Sequence, residues 1–131
     1  MPKLTGLDHL VLTVRDMSAT IKFYRDVLGM GVERFQAADE TVRTALKFGR
    51  YKINLHQAGA EFEPKARSPV PGSADICFVT ETALADWQAK LDRLGVATTL
   101  GPVHRTGANG KIVSIYLRDP DGNLLEIGRY V

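Results

Sequence analysis

The stretch at residues 119–130, D-P-D-G-N-L-L-E-I-G-R-Y, combines a turn with a strand that carries one unexpected charge. Its first four residues favour a turn, because proline fixes φ and glycine admits a positive φ. In the strand that follows, Leu125 and Ile127 face one side and Glu126 faces the other. A carboxylate is costly to bury unless a cation compensates it. Glu126 therefore either faces water at a sheet edge or faces a functional site, as a metal ligand or general base.

Composition places the whole chain in the class of ordinary soluble domains. Its 131 residues, 44% of them hydrophobic, suit one compact domain or two half-modules that share a core. A net charge of +2 with scattered basic residues excludes a nucleic-acid face. No apolar run approaches membrane-spanning length, and the N-terminus lacks the apolar segment of a signal peptide. The single cysteine, Cys77, agrees with a reducing interior, so we expect a cytoplasmic protein.

Hydrophobic periodicity predicts an alternation of short strands with two helices. The helices are expected at residues 16–28, capped by Asp16 or Ser18, and at residues 82–94. Residues 58–73 contain three prolines and are expected to form a linker or lid, and residues 101–110 a polar loop. The strands are expected at residues 7–14, 31–36, 41–48, 51–57, 74–80, 96–100 and 111–118, and after the turn at residue 122.

An internal repeat organises these elements into two halves. The first-half strand at His9 and the end of its helix at Leu28 recur 66 residues later, at Asp75 and Leu94. The simplest interpretation is an α+β fold of two βαβββ modules within one domain, residues 1–131. The modules are expected at about residues 5–58 and 74–131, with a linker at residues 59–73. Neither half alone has enough area to bury its sheet, so we expect a cupped mixed sheet with a concave face.

Four motifs resemble the vicinal oxygen chelate superfamily, which includes glyoxalase I, bleomycin-resistance proteins and extradiol dioxygenases. They are L-D-H-L-V-L-T-V with F-Y-R-D-V-L-G-M, then I-N-L-H-Q, A-D-I-C-F-V and D-P-D-G-N-L-L-E. Residues 62–77 and 101–110 look like the glyoxalase-domain-containing proteins grouped as bacterial virulence-associated proteins. The resemblance spans essentially the whole chain and implies the fold; the superfamily hosts many reactions on that fold.

The resemblance also implies a divalent metal held by residues of the first and last strand of each module. Position by position, the first-strand ligand is His9 and the terminal carboxylate is Glu126. The equivalent first-strand position of the second module, commonly histidine in the family, is Asp75. The last-strand position of the first module is Asn54, with His56 two residues on and on the same strand face. The usual triad of two histidines and one glutamate is therefore altered, unless His56 replaces one histidine.

The chemistry of these side chains supports the same metal site. His9, His56, Asp75 and Glu126 supply nitrogen and oxygen donors that suit Mn, Fe, Ni or Zn rather than a soft metal. Three of them have ordinary structural alternatives. His9 could be a strand histidine bonded to backbone, His56 a histidine at the start of a loop, and Asp75 an aspartate that braces a turn. Cys77 lies on the same strand face as Asp75 and is expected to be inert packing.

The expected function is that of a metal-dependent enzyme acting on a small oxygenated organic substrate. We expect lyase or isomerase chemistry, in which Glu126 or a metal-bound hydroxide moves a proton. Ring-cleaving dioxygenase chemistry is a second alternative, and a metal-free protein that sequesters a small molecule is a third. We also expect a homodimer, because open sheet edges need covering, and neither nucleic acid nor membrane as partner.

Overall fold

A computed structural model describes all 131 residues of the chain. It divides into two compact units, Met1–Pro71 and Gly72–Val131. The boundary falls at the end of the proline-containing stretch that the sequence predicts as a linker. Each unit contains one helix and one four-stranded sheet.

The first unit runs from strand to helix to three further strands. The elements are β1 (His9–Val14), α1 (Met17–Asp26), β2 (Gly31–Gln36), β3 (Val42–Phe48) and β4 (Tyr51–Gln57). The strands lie in the order β1-β4-β3-β2, and only the β1–β4 pair is parallel. A helical crossover is needed to bring the first strand parallel to another, and α1 lies in that connection.

The second unit repeats this order. Its elements are β5 (Asp75–Val79), α2 (Leu84–Arg93), β6 (Leu100–Gly107), β7 (Gly110–Arg118) and β8 (Leu124–Tyr130). The strands lie in the order β5-β8-β7-β6, and only the β5–β8 pair is parallel. Two mixed sheets with one helix each confirm the predicted α+β class and the two βαβββ modules.

The two helices are short and amphipathic. Asp16 caps α1 as predicted, since its Oδ1 accepts a hydrogen bond from the Ala19 backbone N–H at 3.1 Å. Neither helix has the length or the apolar character that crossing a bilayer requires. Both helices end one or two residues earlier than the sequence predicts, at Asp26 and Arg93.

Each sheet has an apolar face and a face that carries the polar side chains. Strand alternation buries the apolar face, which includes Leu12, Ile53 and Leu55 in the first unit, none above 4% exposed. The opposite surface of each sheet is here called the polar face. In the first unit the polar face carries His9, Val11, Thr13, Arg43, Ala45, Lys47, Lys52, Asn54 and His56. In the second it carries Asp75, Cys77, Val79, Ser114, Tyr116, Glu126 and Gly128.

The turn between β7 and β8 is built on the buried side chain of Asp119. Its Oδ1 accepts hydrogen bonds from the backbone N–H groups of Asp121 at 2.9 Å and Asn123 at 3.0 Å. Its Oδ2 accepts a third from the Asn123 side-chain amide at 2.7 Å. The Asn123 side chain in turn accepts a hydrogen bond from the Ala74 backbone N–H at 2.9 Å, so this turn also fixes the start of β5. The predicted turn therefore orients the strand that presents Glu126.

One predicted region is wrong: residues 101–110 are not a polar loop. Most of that stretch belongs to β6, whereas the predicted strand at residues 96–100 is largely irregular. Strand β6 lies at the sheet edge, so its side chains are mostly exposed and lack the apolar alternation that identifies a strand. A register shift between Leu100 and Val103 further hides the pattern.

Candidate functional site

The two units hold their first and last strands in the same register. Val11 of β1 is paired with Asn54 of β4, and Cys77 of β5 is paired with Glu126 of β8. The 66-residue offset of the repeat relates Val11 to Cys77, so Asn54 and Glu126 occupy equivalent positions. The position-by-position match made from the motifs is therefore consistent with the backbone of each unit.

Asn54 and Glu126 also share an unusual chemical state. Asn54 Oδ1 and Glu126 Oε2 are buried, and neither has a hydrogen-bond partner. An unpartnered buried polar atom costs about 1–3 kcal/mol, and more when it is charged, so such atoms require an explanation. Both are hard oxygen donors of the kind that bind divalent cations. Each of the two residues therefore supplies one donor atom of a kind that a divalent cation binds.

One ring nitrogen of His9 is hydrogen-bonded to a carboxylate. Its Nδ1 lies 2.8 Å from Asp8 Oδ2, which leaves Nε2 available for a ligand. In many metal-binding histidines, a carboxylate accepts a hydrogen bond from the ring nitrogen that does not bind the metal. This fixes the tautomer and the orientation of the ring. The hydrogen bond with His9 lowers the pKa of Asp8; burial is the next largest effect and opposes it, and the charges of His9, Lys52 and Lys47 lower the pKa further. Sequence reasoning missed Asp8, although the D-H dipeptide was visible.

His56 lies on the polar face of the first unit but is covered by a loop residue. It is 5% exposed, and its ring meets the Phe62 ring edge-on with centroids 5.5 Å apart. The Arg43 guanidinium lies 4.2 Å from the centre of the same Phe62 ring. Burial, then the charge of Arg43, lowers the pKa of His56, while Glu61 acts in the opposite direction. Neither Phe62 nor Arg43 gave a sequence signal.

The strand register separates the two predicted histidine ligands. His56 is paired with Thr13, four residues along β1 from His9. Four residues of a strand correspond to about 13 Å. Two nitrogens on one metal ion lie only about 4 Å apart, since each is about 2 Å from the ion. The first unit thus presents His9 and His56 at opposite ends of one face and does not bring them together.

The second unit brings Asp75, Cys77 and Glu126 onto one polar face. Cys77 is directly paired with Glu126, and Asp75 lies two residues before it on β5. Burial of the thiol is the main cause that raises the pKa of Cys77 to about 11. The charge and hydrogen-bonding capacity of Glu126 and the charge of Asp75 raise the pKa further. The residue is exposed as a whole, but its sulfur end packs toward Glu126 and Gly128. In neither unit do three His, Cys, Asp or Glu side chains converge closely enough to hold an ion.

Ser114 is a further polar residue of this face. It is 0% exposed, and its hydroxyl has no hydrogen-bond partner. It is paired with Gly128, where an added Cβ would lie 3.0 Å from Ser114 Oγ and 3.6 Å from Cys77 Sγ. Sequence reasoning placed Ser114 on one side of its strand with two large residues but assigned it no function. A single serine in an otherwise bulky stretch was the available signal.

The chain is similar to several characterised sequences and to a solved structure. It is 55% identical over 125 residues to virulence protein STM3117 of Salmonella typhimurium, covering 95% of this chain and 84% of that protein. The crystal structure of STM3117 matches with a TM-score of 0.94 and 53% identity, covering 99% of this chain and 100% of the other.

Two further relatives carry other names. Glyoxalase domain-containing protein RDO1 of Mycosarcoma maydis is 55% identical over 125 residues, covering 95% of this chain and 68% of RDO1. Metallothiol transferase FosB of Bacillus licheniformis is 31% identical over 128 residues, covering 95% of this chain and 75% of FosB. Residues 6–127 match a family model, and the chain belongs to the glyoxalase/bleomycin resistance protein/dioxygenase superfamily, as its motifs predict.

Proposed function

We propose that the chain is a metal-dependent enzyme that acts on a small oxygenated organic substrate by lyase or isomerase chemistry. The observation that supports this most directly is the buried, unpartnered Oε2 of Glu126. A bound divalent cation, chosen from Mn, Fe, Ni and Zn, would compensate that charge. The remaining ligands are those that the family resemblance predicts, His9 first and then Asp75, since His56 lies too far along the sheet from His9 to share an ion with it.

The relatives support metal use without naming a substrate. FosB is named a metallothiol transferase, and RDO1 a glyoxalase domain-containing protein. Of the predicted ligands, His9 already has the carboxylate neighbour that metal-binding histidines commonly have. His56 is less accessible, because Phe62 covers it.

The residues of the chain suggest how a proton would be moved. A bound cation would supply Lewis acidity, which polarises a substrate carbonyl and acidifies the neighbouring C–H or O–H group. Glu126 is positioned by β8, where it lies opposite Cys77 of β5. The carboxylate oxygen of Glu126 that the cation does not hold would take a proton from the substrate and return it to a neighbouring atom. The Cys77 thiol opposite it stays protonated, because its pKa is raised to about 11, and is not the nucleophile.

The first test is metal binding to protein prepared with a chelator. Adding Mn, Fe, Ni or Zn should raise the thermal midpoint, since an ion at about 100 times its Kd stabilises the native state by about 2.7 kcal/mol. Glu126→Gln should remove most of that rise. Glu33→Gln, at an exposed position of β2, is the matched control and should keep it.

The second test is turnover by the metal-loaded protein. It should be screened against dicarbonyl thioesters, catechols and lactones, with Glu126→Gln as the inactive reference. Cleavage of catechols would favour the dioxygenase alternative. A wild-type protein that no metal stabilises, yet which binds these compounds unchanged, would support the metal-free binding protein instead. The predicted homodimer and cytoplasmic location stay predictions, and light scattering of the purified protein tests the former.

A further inference from the structure

The second unit has a cleft at the end of its sheet, where the last strand meets the start of the helix. The residues that line it are Leu84 of α2, Val113 of β7, Arg129 and Tyr130 of β8, and Val131. Its volume is about 340 Å³, in the lower part of the range of clefts that bind small molecules, and it is open to solvent. An accessible cleft of this size can admit a ligand without displacing any part of the chain.

The walls of the cleft are apolar except for one guanidinium. Leu84 and Val113 are half-buried and contribute hydrocarbon surface, and the Tyr130 ring adds aromatic surface. The Tyr130 hydroxyl accepts a hydrogen bond from the Asn109 backbone N–H at 3.2 Å, which fixes the ring in place. The charged group is Arg129, which is exposed. The cleft therefore offers an apolar surface beside a single positive charge.

Arg129 keeps its hydrogen-bond donors free. It makes no hydrogen bond and no ion pair with another group of the chain. Other arginines of the same sheet do so: Arg105 Nε donates to Tyr116 Oη at 3.0 Å. Arg118 Nη1 donates to the Gly122 carbonyl oxygen at 3.2 Å. Arg129 thus presents an unoccupied set of donors at the edge of the cleft.

The first unit fills the equivalent position with a side chain that is satisfied internally. In the register of the two units, Gln57 of β4 is equivalent to Arg129 of β8. Gln57 Nε2 donates to the carbonyl oxygens of Arg15 at 2.7 Å and Val14 at 3.3 Å, and so ties the end of β1 to β4. The second unit has a longer, charged side chain there that makes no such bond. The difference leaves a cation available to an external group.

A small carboxylate with an apolar body matches both features of the cleft. A guanidinium binds a carboxylate through two parallel N–H···O hydrogen bonds, which are stronger than hydrogen bonds between neutral groups. The apolar body would lie against Leu84 and Val113 and remove hydrocarbon surface from water. An inorganic anion would use the charge but leave the apolar walls uncovered.

We propose that this cleft binds a small carboxylate with an aromatic or branched aliphatic body, and that Arg129 holds the carboxylate. The site is separate from the one in the proposed function. Arg129 and Glu126 are three residues apart on β8, so strand alternation directs them to opposite faces of the sheet.

Benzoate, benzamide and acetate separate the two features of the site. Benzamide keeps the ring without the charge, and acetate keeps the charge without the ring. Their affinities for the full chain can be compared by amide chemical-shift titration at constant ionic strength, without added metal. The wild type should bind benzoate about tenfold more tightly than either of the others, because only benzoate uses both the guanidinium and the apolar walls. The largest shifts should be those of the Val113 and Val131 amides.

Substitutions in the cleft assign each contribution. Arg129→Gln should lower the affinity for benzoate to that for benzamide, and its exposed position leaves the fold intact. Leu84→Ala should weaken the binding of benzoate and benzamide alike. Arg93→Gln is the matched control, since Arg93 is an exposed arginine at the end of α2 that lies outside the cleft. It should keep the tenfold preference.

Several outcomes would overturn the site. One is a wild type that binds none of the three probes, or that binds acetate or benzamide as tightly as benzoate. Another is a preference for benzoate that survives in Arg129→Gln, and a third is a set of shifts centred on Glu126 and Cys77. No metal is added in these titrations, so a failure of the metal-binding test of the proposed function leaves their result unchanged.

Discussion

The two units share one backbone plan and register, yet they use their polar faces differently. In the first unit His56 is covered by Phe62, which Arg43 contacts, whereas His9 at the other end of the face is exposed. In the second unit the paired residues Ser114 and Gly128 are small, and the Cys77 thiol and the Glu126 carboxylate lie beside them. Duplication thus preserves the backbone plan, while the side chains on the two polar faces differ. The following predictions test that difference.

The largest expected effect concerns the turn that precedes β8. Asp119→Ala removes the acceptor of three hydrogen bonds inside the fold and should lower the free energy of unfolding by about 3 kcal/mol. The first unit makes the equivalent connection with the exposed residues Gly49 and Arg50. Arg50→Ala should change the stability by less than about 0.5 kcal/mol. Urea denaturation of both variants measures the contrast, and equal losses would show that the two turns contribute alike.

The next effect concerns the cover on the first unit. Phe62→Ala removes a half-buried ring together with its contacts to His56 and Arg43, and should destabilise the protein by about 1–2 kcal/mol. It should also expose His56 to solvent. Proton exchange of the imidazole, followed by NMR, measures that exposure. An unchanged His56 environment would mean that the loop does not cover it in solution.

The reactivity of Cys77 tests the second unit. With the pKa raised from 9.0 to about 11, the thiolate fraction at pH 8 is about 100-fold below that of an ordinary cysteine. Higher intrinsic nucleophilicity offsets part of this, so alkylation by iodoacetamide should be about tenfold slower than in the unfolded chain. Glu126→Gln removes the neighbouring charge and should speed the reaction. The same rate in both proteins would mean that the carboxylate does not act on the thiol.

The smallest effect is the pH dependence due to His56. Its folded pKa lies below the unfolded value, so the unfolded chain binds the proton first, and stability falls as the pH drops through about 6.5. His56→Gln should flatten that fall between pH 7 and 5, measured by urea denaturation with chelator present. Arg43→Gln should flatten it only in part, because burial is the larger cause. A wild type with constant stability across this range would contradict the burial of a neutral imidazole.

Much of the fold was predictable because the chain carries its strongest patterns at the core. The repeat offset of 66 residues, the helix cap at Asp16 and the D-P-D-G turn can each be recognised directly in the sequence. Strand β6 was not predictable, because an edge strand can be polar on both sides and is identified only by its partner β7.

The candidate site was predictable where a motif placed a titratable residue, as at His9 and Glu126. It was not predictable where the state of a side chain depends on neighbours that are distant in the sequence. The unpaired hydroxyl of Ser114 is recognised only when the surrounding atoms are known. The cover on His56 likewise depends on Phe62, whose loop has no periodic pattern to indicate what it packs against.

The irregular start of β6 has a consequence for how the molecule behaves in concentrated solution. Pro102 offers no backbone donor, and at Gly101 an added Cβ would lie 2.5 Å from the Ser114 carbonyl oxygen, so the chain is pressed against its neighbour at this point. The outer border of the sheet is therefore interrupted where a foreign strand would otherwise extend it. A break of this kind is one of the features by which edge strands resist extension by a foreign strand.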